Sequence, residues 1–146
     1  MKNEFKLFLK KNGFLPIETW SNFEIIHGKA NEDFVKIIKN NVSDKDGVYI
    51  YIKERNILYV GKAKPLWGRI KSHFRESYEE VSGDTKLKTW HKFFSNKNNI
   101  GLVKILYKEV PEELERQIIE KMLDYVLCPT FNDFRRKLEK KCKKLQ

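Results

Sequence analysis

Two runs of strand-forming residues joined by a polar turn constrain this chain more than any other feature. They are Val48-Tyr49-Ile50-Tyr51-Ile52 and Ile57-Leu58-Tyr59-Val60, separated around Glu54-Arg55-Asn56 and preceded by the turn signal Asp44-Lys45-Asp46-Gly47. β-Branched and aromatic residues at this density, bounded by turn residues, predict a hairpin. The hydrophobic pattern sets its register. Pairing Lys53 with Ile57 places Tyr51 opposite Tyr59 and Tyr49 opposite Gly61. Val48, Ile50, Ile52, Leu58 and Val60 then share one aliphatic face. The three tyrosines share the other, expected to be an open face, beside the bare backbone of Gly61. A slip of one residue would mix the two sets.

The remaining elements follow from periodicity and punctuation. Residues 3–11 read as a short helix, and Asn31 is the expected N-cap of a second reaching Ile38. Pro65 suits the first position of a helix, along which Leu66, Ile70 and Phe74 recur every fourth residue. Arg69 and His73 are also four apart, so they stack on a neighbouring face. A helix is expected over Thr85–Ser95, a strand over Ile100–Tyr107, and a last clear helix from Pro111 to just before Cys128-Pro129. The order is β-β-α-α-β-α within residues 43–134. Residues 1–42 read as an accessory helical layer and 135–146 as a basic tail. The fold class is α/β in its α+β form.

Charge points to the partner. The chain has 146 residues and a formal net charge of +10, which favours a polyanion. The excess is uneven, because residues 135–146 alone carry a net +6. There is no apolar run long enough for a membrane span. Lys6, Lys10 and Lys11 interrupt the N-terminal segment that superficially resembles a signal sequence, so a cytoplasmic location is expected. Cys128 and Cys142 are in no ligand spacing; a buried free thiol and a tail thiol are expected, rather than zinc.

Around the hairpin the sequence resembles the GIY-YIG nuclease family. Gly47-Val48-Tyr49 stands for the first motif and Tyr59-Val60-Gly61 for the second. Lys62-Ala63-Lys64 and Arg69 follow in the family's spacing, then Glu120 and Pro129-Thr130-Phe131-Asn132. Each piece alone is weak, but five in order are specific. The resemblance spans roughly residues 46–134 and implies a small three-stranded antiparallel sheet flanked by helices. It also implies a DNA endonuclease using one magnesium ion, with manganese as a substitute.

The resemblance implies roles residue by residue. Tyr49 is the general base, and Tyr59 orients water or the scissile phosphate. A phenol with a pKa of about 10 is a poor base at neutral pH unless positive charge stabilises its anion; Lys62, Arg69 and a metal ion would supply it. Lys62 relays a proton or contacts phosphate, and Arg69 clamps the scissile phosphate through its planar fork. His73 contacts phosphate, assists proton transfer, or simply packs. Glu120, at the rim of its helix's apolar arc, is the metal ligand; Glu115 competes, but falls inside that arc. One carboxylate suits magnesium held largely by water. Asn132 anchors backbone or the glutamate, while Gly47 and Gly61 support the site. Lys64, Lys71, Arg75, Arg135, Arg136 and Lys137 are the expected phosphate contacts.

Rival chemistries fit worse. Asp133, Glu139 and Lys141 could be forced into a PD-(D/E)xK pattern, but their stretch lacks strand residues. The serious alternative is a non-catalytic nucleic-acid-binding module, against which the retained carboxylate argues. DNA is the expected partner, with a second copy or a targeting protein as alternatives for selecting the site.

Overall fold

The computed structural model describes residues 1–79 and 88–144. The elements run α1 (Lys2–Lys11), β1 (Ser21–Ile26), α2 (Glu32–Val42), β2 (Gly47–Lys53), β3 (Asn56–Ala63), α3 (Leu66–Glu76), α4 (Thr89–Ser95), β4 (Leu102–Glu109), α5 (Glu113–Leu127) and α6 (Thr130–Lys144). Among the described residues four strands, not three, form one antiparallel sheet in the order β1-β4-β2-β3. The additional strand comes from the N-terminal segment, where Phe23 and Ile25 alternate inward along β1. Asn31 caps α2 as expected, its side chain accepting from the amides of Asp33 and Phe34.

Several boundaries move. Helix α2 runs four residues past Ile38. Pro65 sits at the N-cap of α3 rather than inside it. The third expected strand shifts to Leu102–Glu109, and α5 starts at Glu113. The expected helix over Thr85–Ser95 is found from Thr89; its first residues lie outside the described ones. The basic tail is continuous with α6.

The hairpin register holds at its core and changes near its turn. Tyr51 pairs with Tyr59 and Tyr49 with Gly61, but Ile52 pairs with Ile57 and Lys53 with Asn56, so Leu58 is an extra residue in β3. Such a bulge reverses pleat parity beyond it. Leu58 therefore joins the tyrosine side, and Ile57 replaces it on the aliphatic side. The tyrosine face is not open. Tyr49 and Tyr51 are fully buried beneath α3 and α4 with Ile70, Phe74, Trp90 and Phe93. The aliphatic face packs Val48, Ile50 and Val60 against Leu9 of α1 and Ile119 and Leu123 of α5.

Both motif glycines are explained by close approach. A Cβ on Gly47 would collide with the carbonyl oxygen of Lys108 on β4. A Cβ on Gly61 would lie 2.6 Å from ring atoms of both Tyr49 and Tyr59. Among the described residues no helix is long and apolar enough to cross a membrane. Cys128 is exposed and free rather than buried; it terminates α5 in the left-handed conformation (φ 49°).

Two glycine substitutions should separate packing from backbone entropy. Gly61→Ala is expected to lose about 1–3 kcal/mol through overpacking against the two rings. Gly68→Ala, in α3 with open space around its Cβ position, should gain roughly 0.5–1 kcal/mol. Thermal unfolding of the two variants checks both signs.

Candidate active site

The edge strand β3 gathers the chemistry, because only one of its sides is hydrogen-bonded within the sheet. Tyr59 lies on its tyrosine side and Lys62 on its α5 side. Helix α3 brings Arg69 and His73 alongside, and α6 brings Arg135. Tyr59, Arg69, His73 and Arg135 line one cleft of about 480 Å³, with Ser72, Glu76, Trp90 and Phe131. Arg69 also borders a second, smaller cleft with Lys62, Lys64, Arg116 and Gln117. It therefore stands between a tyrosine-lined and a lysine-lined recess, where one guanidinium can face phosphate from either side.

Helix α6 closes the first cleft for local reasons. The Thr130 hydroxyl donates to the Ile57 carbonyl (3.2 Å), fixing the start of the helix on β3. Phe131 stacks on Trp90 at 4.6 Å and meets Tyr59 edge-on at 5.0 Å. Trp90 in turn stacks on His73 at 4.1 Å, and the Tyr51 hydroxyl lies 3.0 Å from His73 Nδ1. His73 is thus a buried, hydrogen-bonded wall of the cleft.

The tyrosines differ in access and in electrostatics. Burial pushes the Tyr49 phenol well above its ordinary pKa, with Tyr59 and Tyr51 adding to the rise and Arg69 opposing it. Its buried hydroxyl adjoins the Tyr59 phenol, and that pairing raises Tyr49 while lowering Tyr59. Tyr59 is also raised, chiefly by burial, but the adjoining Tyr49 phenol, Arg69 and Arg135 pull it down. The positive charge expected to activate Tyr49 is therefore outweighed by desolvation in the protein alone.

Glu120 projects from α5 near Lys62 and Tyr59. Burial raises its pKa, with Asp124 acting in the same direction and Lys121 and Lys62 against it. Its Oε2 is buried without a hydrogen-bond partner among the described residues. An orphaned carboxylate oxygen beside a lysine fits a cation ligand. No group of three or more His, Cys, Asp and Glu suited to a metal occurs among the described residues. A single carboxylate completed by water is the arrangement magnesium accepts.

Other expectations change. Asn132 anchors neither Glu120 nor backbone through its side chain; its Nδ2 donates to both Asp124 oxygens at 3.0 and 3.1 Å. The buried arc of α5 is Arg116, Ile119, Leu123 and Val126, leaving Leu114, Ile118 and Tyr125 exposed. Glu115 consequently faces solvent instead of an apolar arc. Arg116 was not anticipated, although its spacing to Ile119 and Leu123 signals burial. Its guanidinium donates to the carbonyls of Val110 and Pro111, holding the end of β4 to α5. Lys71 and Arg75 line a groove on the adjoining face of α3, with Lys71 over Trp67. Arg136 borders a separate recess beside Asp124 and Asn132 and pairs with Asp133. Lys137 is exposed on α6.

The family model described as a UvrC-like GIY-YIG domain matches residues 45–132. No curated protein matches the chain. Among solved structures, the chain is similar to the GIY-YIG N-terminal endonuclease domain of UvrC from Thermotoga maritima bound to magnesium as its catalytic divalent cation. Identity is 22%, covering 70% of this chain and 98% of that chain, with a TM-score of 0.48. A point mutant of that domain bound to its catalytic divalent cation matches at 22% identity, covering 70% and 97%, with a TM-score of 0.48.

Two buried histidines make the stability of this region depend on pH. His27 stacks on Phe94 at 3.9 Å, and neither of its ring nitrogens has a partner among the described residues. Desolvation lowers both His27 and His73 to a pKa of about 3. In the unfolded chain an imidazole titrates at about 6.5. Between those values the unfolded state binds more protons, so these groups lower stability as pH falls below 6.5, until about 3. Each contributes up to about 1.4 kcal/mol per pH unit. Chemical denaturation at pH 7 and pH 5 should show the loss, and His27→Phe should reduce it.

Proposed function

Since the chain belongs to the UvrC-like GIY-YIG family, we propose that it is a divalent-metal-dependent endonuclease hydrolysing phosphodiester bonds in DNA. The observation that carries this reading is the meeting of Tyr59, Lys62, Arg69 and the orphaned Glu120 oxygen around one edge strand. A binding module would need the cations but not a desolvated carboxylate. The catalytic unit is residues 43–134, with 1–42 as accessory layer and 135–146 as a phosphate-binding extension.

Glu120 would hold magnesium, or manganese in its place; when bound, the ion supplies Lewis-acid charge and lowers the pKa of coordinated water. The protein's own groups do the rest. Arg69 clamps the scissile phosphate and stabilises negative charge as the phosphorus becomes five-coordinate. Lys62, on the Glu120 side of β3, contacts phosphate or returns a proton to the leaving oxygen. A tyrosine that has first lost its phenol proton to solvent, its anion stabilised by the neighbouring positive charge, takes the proton from the attacking water. A base must reach the proton it removes, which favours Tyr59, lining the cleft, over Tyr49, sealed behind it. Tyr49 then positions Tyr59. His73 stays neutral at pH 7 and shapes the cleft without contributing charge.

Single-turnover cleavage of plasmid DNA in magnesium tests the assignments together. Glu120→Gln should abolish cleavage with little change in melting temperature. Tyr59→Phe should slow cleavage by about 10² to 10⁴, and Tyr49→Phe by less. Full activity in Tyr59→Phe with an inactive, folded Tyr49→Phe would return the base to Tyr49. Glu115→Gln, at an exposed position, should leave both stability and rate near wild type. Robust cleavage by Glu120→Gln would sink the metal-ligand assignment.

The basic extension carries its own expectation. Deleting residues 135–146 removes a net +6. DNA affinity should weaken for all sequences alike, with a salt dependence shallower by about 0.9 for each duplex phosphate no longer neutralised. An unchanged slope would reduce the extension to a solvated helix.

A further inference from the structure

Arg135 lies three residues beyond the stretch that matches the family, which ends at Asn132. It nevertheless lines the same cleft as Tyr59 and Arg69. Its placement is set by packing: Phe131, one helical turn earlier, is locked between Trp90 and Tyr59. Phe134 packs on Phe93 at 5.2 Å, so the first turns of α6 are anchored by aromatic contacts. The guanidinium itself is exposed, and its Nε is only loosely paired with Glu139 at 3.6 Å. An exposed pair of this kind contributes little to stability, so it is readily exchanged for a better acceptor.

We propose that Arg135 is a second phosphate-binding arginine of the cleft, holding the phosphate next to the scissile one while Arg69 holds the scissile phosphate itself. The inference rests on the nuclease reading and deepens it. Two arginines on different helices, facing one cleft, fit two successive phosphates of one strand better than a single isolated group. The substrate class is therefore an internal phosphodiester carrying a charged neighbour. A bond whose flanking phosphate is missing or neutral is a poor substrate. Glu139 competes with that phosphate for the guanidinium, so removing its charge should favour DNA.

Fluorescence anisotropy with a labelled DNA duplex, without divalent metal, gives the first arm of the test. A single charge-assisted hydrogen bond predicts that Arg135→Ala weakens binding by roughly ten- to a hundredfold. The salt slope should become shallower by about 0.9. Glu139→Gln should tighten binding, and Arg135→Lys should recover part of the loss. The second arm is single-turnover cleavage in magnesium of duplexes carrying one neutral methylphosphonate, placed in turn beside the mapped cut. At one flanking position it should impair the wild type as Arg135→Ala does, and the two changes together should be no worse than either alone.

Wild-type affinity and salt slope in Arg135→Ala would overturn the proposal, as would full additivity at every methylphosphonate position. Wild-type protein that binds DNA but never cleaves it would instead overturn the nuclease reading; the anisotropy arm would still decide whether Arg135 holds phosphate. Circular dichroism of Arg135→Ala, expected to match wild type because the side chain is exposed, separates weaker phosphate binding from unfolding.

Discussion

The approach of the Gly61 backbone to the rings of Tyr49 and Tyr59 is the contact on which the site depends. The three meet because Tyr49 pairs with Gly61 across the hairpin and Tyr59 lies two residues along the same face of β3. With no side chain at Gly61, both rings settle against the sheet, where α3 and α4 cover them with Phe74, Trp90 and Phe93. Trp90 then has one neighbour to stack against on α3, His73, and one on α6, Phe131. The start of α6 is therefore fixed by the same aromatic cluster that buries Tyr49.

The second condition is that β3 is an edge. A central strand is hydrogen-bonded on both sides, whereas β3 leaves one side free, so side chains from the two faces of the sheet can meet around it. As the sheet is built, α5 packs on the aliphatic side of β3 and α6 on its tyrosine side. Arg69 borders the clefts on both sides. Edge strands with unpaired backbone groups are a liability for aggregation. Here the positive charges gathered around the edge, Lys62, Lys64 and Arg135 among them, also discourage pairing with another chain.

Much of this was legible in the sequence where local rules and tertiary packing agree. The tyrosine pairing followed from period-two alternation, and the Asn31 cap followed from side-chain chemistry. The misreadings occurred where a distant contact decides. Nothing near Leu58 announces the bulge that moves it across the sheet. Strand β1 is short, and its inward Phe23 and Ile25 acquire meaning only through pairing with β4. The wheel of α5 misplaced Glu115 because hydrophobic residues were assumed to lie inside. In fact Leu114 and Ile118 are exposed, while Arg116 is buried with its guanidinium satisfied by carbonyls. The side-chain partner of Asn132, Asp124, required knowing how α6 folds back at Cys128.

Burial and charge pull the site in opposite directions, and their balance limits what each tyrosine can do. Desolvation raises both phenols, and a raised phenol is a weaker acid whose anion is scarcer at neutral pH. Cations offset this only where they can approach. Arg69 opposes the rise at both rings, but Arg135 does so at Tyr59, which borders the cleft that arginine lines. A phosphate drawing both guanidiniums toward itself would lessen their help to the phenol, while a cation held at Glu120 would restore positive charge on the other side of β3. Glu120 itself raises the Tyr59 phenol while its charge is uncompensated. Neutralising that carboxylate therefore removes an obstacle to phenolate formation at Tyr59, so Glu120 and Tyr59 are electrostatically coupled across a single strand.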